Sequence, residues 1–338
     1  MKLQGGQSWK FETKPRIKGS ATVVGPKEGQ GPLGSNFSYV YDNLEIDEST
    51  WEKAERRLFE RASSLALVNA NLTKEDVQFF IGGDLMNQII SASFAARKLA
   101  IPYMGVFGAC STSMESLALA SLIVDTGGAN YSLAGTASHN CTVEKQFRYP
   151  TEYGAQKPPT AQYTVTGSGC AIIGHANQGV IVDCATIGRV VDMGLKDPFN
   201  MGGAMAPAAA DTILSHFKDM GRGPEDYDMI VTGDLASVGL PILKELLNKQ
   251  GVDTEKTEMN DCGLMIYDRE TQPDVFAGGS GCGCSAVVTY GYLLKRLEKG
   301  ELNRILVVAT GALLSPLSYQ QGESIPCIAH AVALESGG

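Results

Sequence analysis

Apolar residues along the chain follow two rhythms: short uninterrupted runs of strand length, and longer stretches in which they return every three or four positions. Trp51, Ala54, Leu58, Ala62 and Leu65 keep one face, which predicts a helix from Ser49 to about Asn69. Ser49 and Glu52 have the spacing of a capping box, and Lys53, Glu55, Arg56, Arg57 and Glu60 read as its solvated side. Ser111 to Asp125 is rich in Ala, Leu and Ser with Glu115 and Asp125 as its only charges, so it predicts a helix buried between layers. Pro207 in a first turn predicts a helix running to Met220. Strands are predicted at Ala21–Val24, Pro102–Ala109, Ala161–Gly174, Val180–Gly188 and Ile325–Leu334, with a loop or hairpin at Pro316–Glu323. Gly29–Gly34 matches no phosphate-binding pattern and reads as a surface turn.

The order of these runs repeats. Phe79-Phe-Ile-Gly-Gly-Asp-Leu85 matches Met229-Ile-Val-Thr-Gly-Asp-Leu235, and setting Cys110 on Cys284 without gaps brings Tyr131–Thr136 onto Ile305–Thr310. Each copy runs strand, Gly-Asp-Leu turn, helix, strand, Cys-Ser turn, helix, strand. A duplicated α/β unit explains that order, with halves at 1–178 and 179–338. The second copy is longer between Asp234 and Cys284, where the charged run Thr254–Cys262 lies. A polar excursion at about 139–160 holds His139, Lys145, Arg148 and Lys157 among aromatics, and reads as a segment that closes over a pocket or meets a partner subunit.

Composition narrows the functional classes. With 338 residues, 43% hydrophobic and 19% charged, the chain has material for a large globular core. A net charge of -9 argues against a nucleic-acid surface. Eight cysteines without regular spacing, behind an N-terminus with no signal-like features, point to free thiols in a reducing compartment. Four histidines, none paired, give no expectation of a metal centre. No apolar run approaches the roughly 20 residues of a membrane span, so membrane association is expected to be peripheral.

Cys110 is the chemical candidate. It stands where Pro102–Ala109 turns into the helix from Ser111, a place where the first helical N–H groups favour a thiolate and equally favour a bound anion. A packed core thiol is the alternative, since free cysteine is among the most buried residue types. A second glycine-rich turn, Val275-Phe-Ala-Gly-Gly-Ser-Gly-Cys-Gly-Cys-Ser285, repeats the arrangement. Nucleophile and pocket lining both fit these residues.

With its duplicated halves and a cysteine at the turn of the first, the chain resembles the thiolase and ketoacyl-synthase superfamily. That resemblance implies a thiolase-like α/β fold, two pseudo-symmetric halves in αβαβα layers. More narrowly, Phe107-Gly-Ala-Cys-Ser-Thr-Ser-Met-Glu115, Gln146-Phe-Arg-Tyr-Pro-Thr-Glu-Tyr-Gly154, Ala204-Met-Ala-Pro-Ala-Ala-Ala-Asp-Thr212 and Phe276-Ala-Gly-Gly-Ser-Gly-Cys282 resemble the stage V sporulation protein AD family of endospore-forming bacteria. In similar enzymes the cysteine attacks a thioester, while histidine with asparagine, or histidine with a second cysteine, moves protons and stabilises the oxyanion. Those positions fall on Gly233-Asp234, on Ser280 and near Thr310, and no histidine occurs between His216 and His330. A carboxylate at Asp234 opposes ionisation of a neighbouring thiol. The resemblance thus implies a retained pocket with Cys110 as a vestigial nucleophile and no catalytic residue, each lost proton transfer costing a factor on the order of 10² to 10⁴.

The sporulation family also implies a ligand, dipicolinic acid (pyridine-2,6-dicarboxylic acid), with Ca²⁺ as its accompanying ion and no cofactor of the protein's own. The residues expected to hold it are Cys110, Ser111, Asp234, Ser280, Cys282, Cys284 and Ser285, through helix N-termini, hydroxyls and glycine backbone, with Arg148 and Lys157 to neutralise the diacid. Implied partners are a second copy of the chain in a homodimer and other proteins of a sporulation membrane complex. The implied location is the cytoplasm of the developing spore and the surface of its inner membrane. Two other functions stay open: acyl transfer by Cys110 with a base at His139 or His330, and a structural subunit with a vestigial pocket.

Overall fold

The structure is a computed structural model and describes residues 2–147 and 157–337. The first half opens with a hairpin, β1 (Lys2–Gln4) and β2 (Ser8–Lys10), then β3 (Arg16–Val24), the single turn α1 (Pro26–Gly29) and β4 (Tyr39–Val40). It continues through α2 (Trp51–Asn69), β5 (Phe79–Gly83), α3 (Ile90–Leu99), β6 (Tyr103–Gly105), α4 (Thr112–Asp125), β7 (Tyr131–Ser138), α5 (Asn140–Phe147), β8 (Tyr163–Thr164) and β9 (Gly167–Gly174). The second half holds β10 (Ile181–Thr186), α6 (Met201–Met220), β11 (Met229–Thr232), α7 (Ala236–Lys249), β12 (Glu258–Asp261), α8 (Cys262–Met265) and β13 (Gly279–Ser280). It closes with α9 (Cys282–Val288), α10 (Leu294–Glu298), β14 (Arg304–Ala312), α11 (Pro316–Gln320) and β15 (Cys327–Glu335).

The main sheet runs β12-β11-β14-β15-β10-β3-β9-β7-β5-β6. From either end the order is the same: three parallel strands, then two antiparallel ones. This is the duplication expected from the repeated runs. Alternation along the strands divides the interior into three cores, because successive side chains leave a strand on opposite faces. Phe80, Leu133 and Ile172 meet Leu58, Ala62, Ala92 and Ala96 of α2 and α3 on one outer face. Ile81, Ala134, Ile173, Val231, Ile305 and Val307 meet Met114 and Leu117 of α4 and Val287 of α9 in the centre. Ile230, Leu306, Val308 and Ala331 meet Met205, Ile213 and Leu243 of α6 and α7 on the other outer face. The result is the layered αβαβα arrangement, with α4 buried between the two halves of the sheet as its uniform apolarity requires.

Several local expectations change. The capping residue of α2 is Thr50, which accepts from Lys53 N, and not Ser49. Its supposed solvated side is partly interior: Glu55 is fully buried against Thr142 of α5, and Glu60 is covered and held by Lys98 and Arg56. α6 begins six residues before Pro207, capped by the Asn200 side chain on Gly203 N. The strand before Cys110 shrinks to Tyr103–Gly105, and the second-half strand matching it is β12, inside the charged run read as an insertion. The glycine turn before α9 forms only the two-residue β13, which pairs with β8 apart from the main sheet. Pro316–Gln320 is helical, not a loop.

Candidate functional site

Cys110 ends the connection from β6 to α4. Ala109 before it is left-handed (φ 51°), and a Cβ on Gly311 of β14 would lie 2.2 Å from Gly108 O. Only glycine at 311 lets the second-half strand approach the cysteine turn this closely. The two halves therefore meet at the thiol.

Across that meeting line stands Asp234, at the end of β11. Its Oδ1 accepts from Thr310 Oγ at 2.7 Å, and its Oδ2 from Gly281 N at 3.0 Å and Ser280 Oγ at 3.2 Å. Gln162 Nε2 fixes the backbone by donating to Asp234 O at 2.7 Å. The Cys110 thiol lies against this carboxylate. Burial first, then the charge of Asp234 and the neighbouring Cys282, push the thiol well above its ordinary value. The expectation that the helix N-terminus would favour a thiolate is thus overturned, because desolvation and a facing carboxylate outweigh a half-charge dipole. Asp234 is itself raised by burial, against the pull of its donors.

The imidazoles are engaged elsewhere. His139 is buried with Nε2 donating to Leu44 O at 2.8 Å and Nδ1 accepting from Cys141 N at 3.1 Å. His330 accepts from Gly188 N at 3.2 Å through Nδ1, and its Nε2 lies near Gly108. Neither is a hydrogen-bond partner of Cys110. Burial holds both well below the ordinary imidazole range, at about 4, so both are neutral at pH 7.

Above Cys110 lies a cavity of about 40 Å³, lined by Leu85, Phe107, Val143, Phe147, Met201 and Leu314 with the hydroxyls of Thr164 and Ser280. That is room for a few water molecules. An outer cavity of about 390 Å³, bounded by Asn87, Gln88 and Pro316, shares Leu85, Phe107, Phe147 and Leu314 with the inner one. These four side chains separate the two chambers. The polar excursion does supply a cover, since Val143 and Phe147 belong to α5. α5 is held down by Thr142 on Glu55, Lys145 on Glu52 at 2.5 Å and Lys157 on Glu144 at 2.8 Å.

Of the residues singled out from sequence, Cys110, Ser280 and Asp234 come together here, and Cys282 adjoins them. Cys282 Sγ donates to Ala137 O at 3.0 Å. Ser111 Oγ turns back to Gly108 O at 2.6 Å, Ser285 Oγ pairs with Ser113 Oγ at 2.6 Å, and Cys284 sits in the central core. Arg148 lies outside the described residues. Lys157 is spent on Glu144. Among the described residues no Lys or Arg lines the inner cavity, and no group of three or more His, Cys, Asp or Glu could hold a metal ion. The apolar walls were not singled out, because Leu85, Val143, Met201 and Leu314 come from four separate segments with no shared period.

Residues 5–335 match the family described as Stage V sporulation protein AD (SpoVAD). The chain is 54% identical over 338 residues to Stage V sporulation protein AD of Bacillus subtilis (strain 168), covering 100% of this chain and 99% of that protein. Among solved structures it is similar to a variant of Xanthomonas campestris OleA, with TM-score 0.59 and 15% identity over 96% of this chain and 99% of that one. It is also similar to 3-oxoacyl-[acyl-carrier-protein] synthase III of Aquifex aeolicus VF5, with TM-score 0.58 and 15% identity over 95% of this chain and 99% of that one. At such low identity these structures speak for the thiolase-like fold alone. The end-to-end match and the majority of identical residues make the chain a member of the stage V sporulation protein AD family.

Proposed function

We propose that the protein is a non-catalytic binding protein for dipicolinic acid, acting in its movement across the spore membrane during sporulation and germination. The observation that carries this reading is that Cys110, which lines an apolar cavity, is backed by the buried carboxylate of Asp234. A carboxylate supplied with donors by Thr310, Ser280 and Gly281 stands where acyl transfer needs a base, and the thiol beside it is held protonated. A flat aromatic ring suits walls such as Phe107, Val143 and Phe147, while Thr164 offers a hydroxyl to its carboxyl groups. The inner cavity is smaller than such a ring, so the ligand enters by displacing the shared side chains toward the outer chamber.

The charge of the site bears on the form of the ligand. A dianion beside Asp234, with no cation among the described lining residues, is disfavoured, whereas a calcium chelate of the dicarboxylate carries no net charge. Calcium therefore comes ligated by the dicarboxylate, not by a site of the protein.

The free edge of β6, with Ile90, Phe94, Met104 and Phe107 exposed on and beside it, supports a homodimer through this edge. No helix among the described residues is long and apolar enough to cross a membrane. Attachment at the inner membrane of the spore would then run through other proteins of the same complex.

Calorimetric titration with dipicolinate, with and without equimolar Ca²⁺, tests the reading. Saturable one-site binding, tighter with calcium and lost in Val143→Trp, which fills the cavity, is the expected result. Absence of heat in both titrations, with a folded protein, would leave the structural-subunit reading in its place.

A further inference from the structure

The outer face of α2 bears a groove in which the cleft has no part. Arg57, Arg61, Ser64 and Val68 follow one another at helical spacing along one wall, and Leu72, Lys74 and Lys98 border the other. Its volume is about 540 Å³. The chain as a whole carries -9, yet here four cations, Arg57, Arg61, Lys74 and Lys98, face only Glu60 and Glu75. Glu60 is already answered by Lys98 at 2.7 Å and by Arg56 at 3.3 Å. Arg61 is stacked on Tyr39, 3.3 Å from the ring centre. Arg57 and Lys74 are exposed and make no ion pair among the described residues. The other end of the groove is apolar, with Val68 66% exposed beside Leu72.

We propose that this groove docks an acidic amphipathic helix of a partner protein, its carboxylates on Arg57 and Lys74 and an apolar side chain against Val68 and Leu72. Charge complementarity selects the occupant: the groove is a basic island on an acidic molecule. An anionic bilayer fits less well, because the surface is concave and the net charge of -9 opposes approach of the whole protein to a negative plane.

The full chain is titrated by fluorescence anisotropy with a labelled helical peptide carrying glutamates and leucines on one face, and with a twin bearing lysines in place of the glutamates. Sedimentation with phosphatidylglycerol vesicles reports the lipid alternative. The acidic peptide alone should bind, roughly tenfold or more weakly to the Arg57→Glu, Lys74→Glu double variant, and more weakly to Val68→Asp, with melting temperatures unchanged. Equal binding of the twins, no binding of the acidic peptide, binding that survives the double charge reversal, or vesicle sedimentation dependent on Arg57 and Lys74 would overturn the proposal. None of these residues lines the cavity, so dipicolinate titration of the double variant should match wild type whichever way the peptide result falls.

Discussion

Glu115, in the first turn of α4, keeps one buried carboxyl oxygen without a hydrogen-bond partner, and burial pushes it up to about 7 from 4.5. A carboxyl raised on folding gives up stability as it ionises: nothing is lost below the unfolded value, and the loss is complete once the pH passes the folded one. Glu115→Gln should therefore gain about 2–3 kcal/mol relative to wild type between pH 4 and pH 8, by urea unfolding at each pH. An unchanged difference would mean that Glu115 is solvated. At Cys110 the same electrostatics apply to reactivity. Removing the facing charge by Asp234→Asn should lower the pH of half-maximal alkylation of Cys110, while burial keeps it above that of a free thiol. Only the resemblance set Asp234 near the thiol, by placing the family's strand-end histidine at Gly233-Asp234; the repeat of the Gly-Asp-Leu turns carried no such neighbour. It could not separate Asp234 from its twin. Asp84 accepts from Met86 N and Ala92 N, both at 2.7 Å, and so caps its own turn. Thr310 and Gly281, which give Asp234 a different task, are distant in sequence.

Among the elements, the N-terminal hairpin is tied to the second half by a hydrogen-bonded chain whose direction follows from counting protons. Ser8 has one hydroxyl proton and gives it to Asp219 at 2.8 Å. Thr186 must then donate to Ser8 at 2.8 Å, and His216 Nδ1–H to Thr186 at 2.7 Å. His216 is neutral, since burial and then Arg222 hold it down at about 3, so Tyr227 donates to its Nε2 at 2.6 Å and accepts from Arg222 at 3.2 Å. Every bond points from the cation to the carboxylate. Nitrogen-15 spectra should find His216 as the Nδ1–H tautomer, and Thr186→Val should cost about 1–3 kcal/mol by breaking the chain in the middle. The Nε2–H tautomer would contradict the order. As a histidine depressed on folding, His216 stabilises fully above its ordinary 6.5 and loses that contribution as the pH falls toward 3. None of this was legible beforehand, because β2 belongs by sequence to the first half yet pairs with β10 of the second. The long periodic helices were legible, their ends less so: Asn200 caps α6 from a polar run that carries no periodic signal.

For the whole molecule, the repeat was the most informative feature, since two matched strand orders predicted a duplicated α/β unit before any contact was known, and the resemblance added its layering. What escaped was β12, a strand too charged to be told from an insertion. At this scale the free β6 edge makes a definite expectation: Met104→Asp should convert a dimer to a monomer in light scattering, and a wild-type monomer at micromolar concentration would remove the basis for it. The account turns on whether the cleft at Cys110 reacts with acyl donors. Incubation with short-chain acyl-CoA followed by intact-protein mass spectrometry addresses that directly. An unchanged mass is expected, because Cys110 is buried, protonated and faced by Asp234 with no imidazole as partner. An acyl adduct that disappears in Cys110→Ala would contradict it and return the protein to the enzymes whose fold it shares.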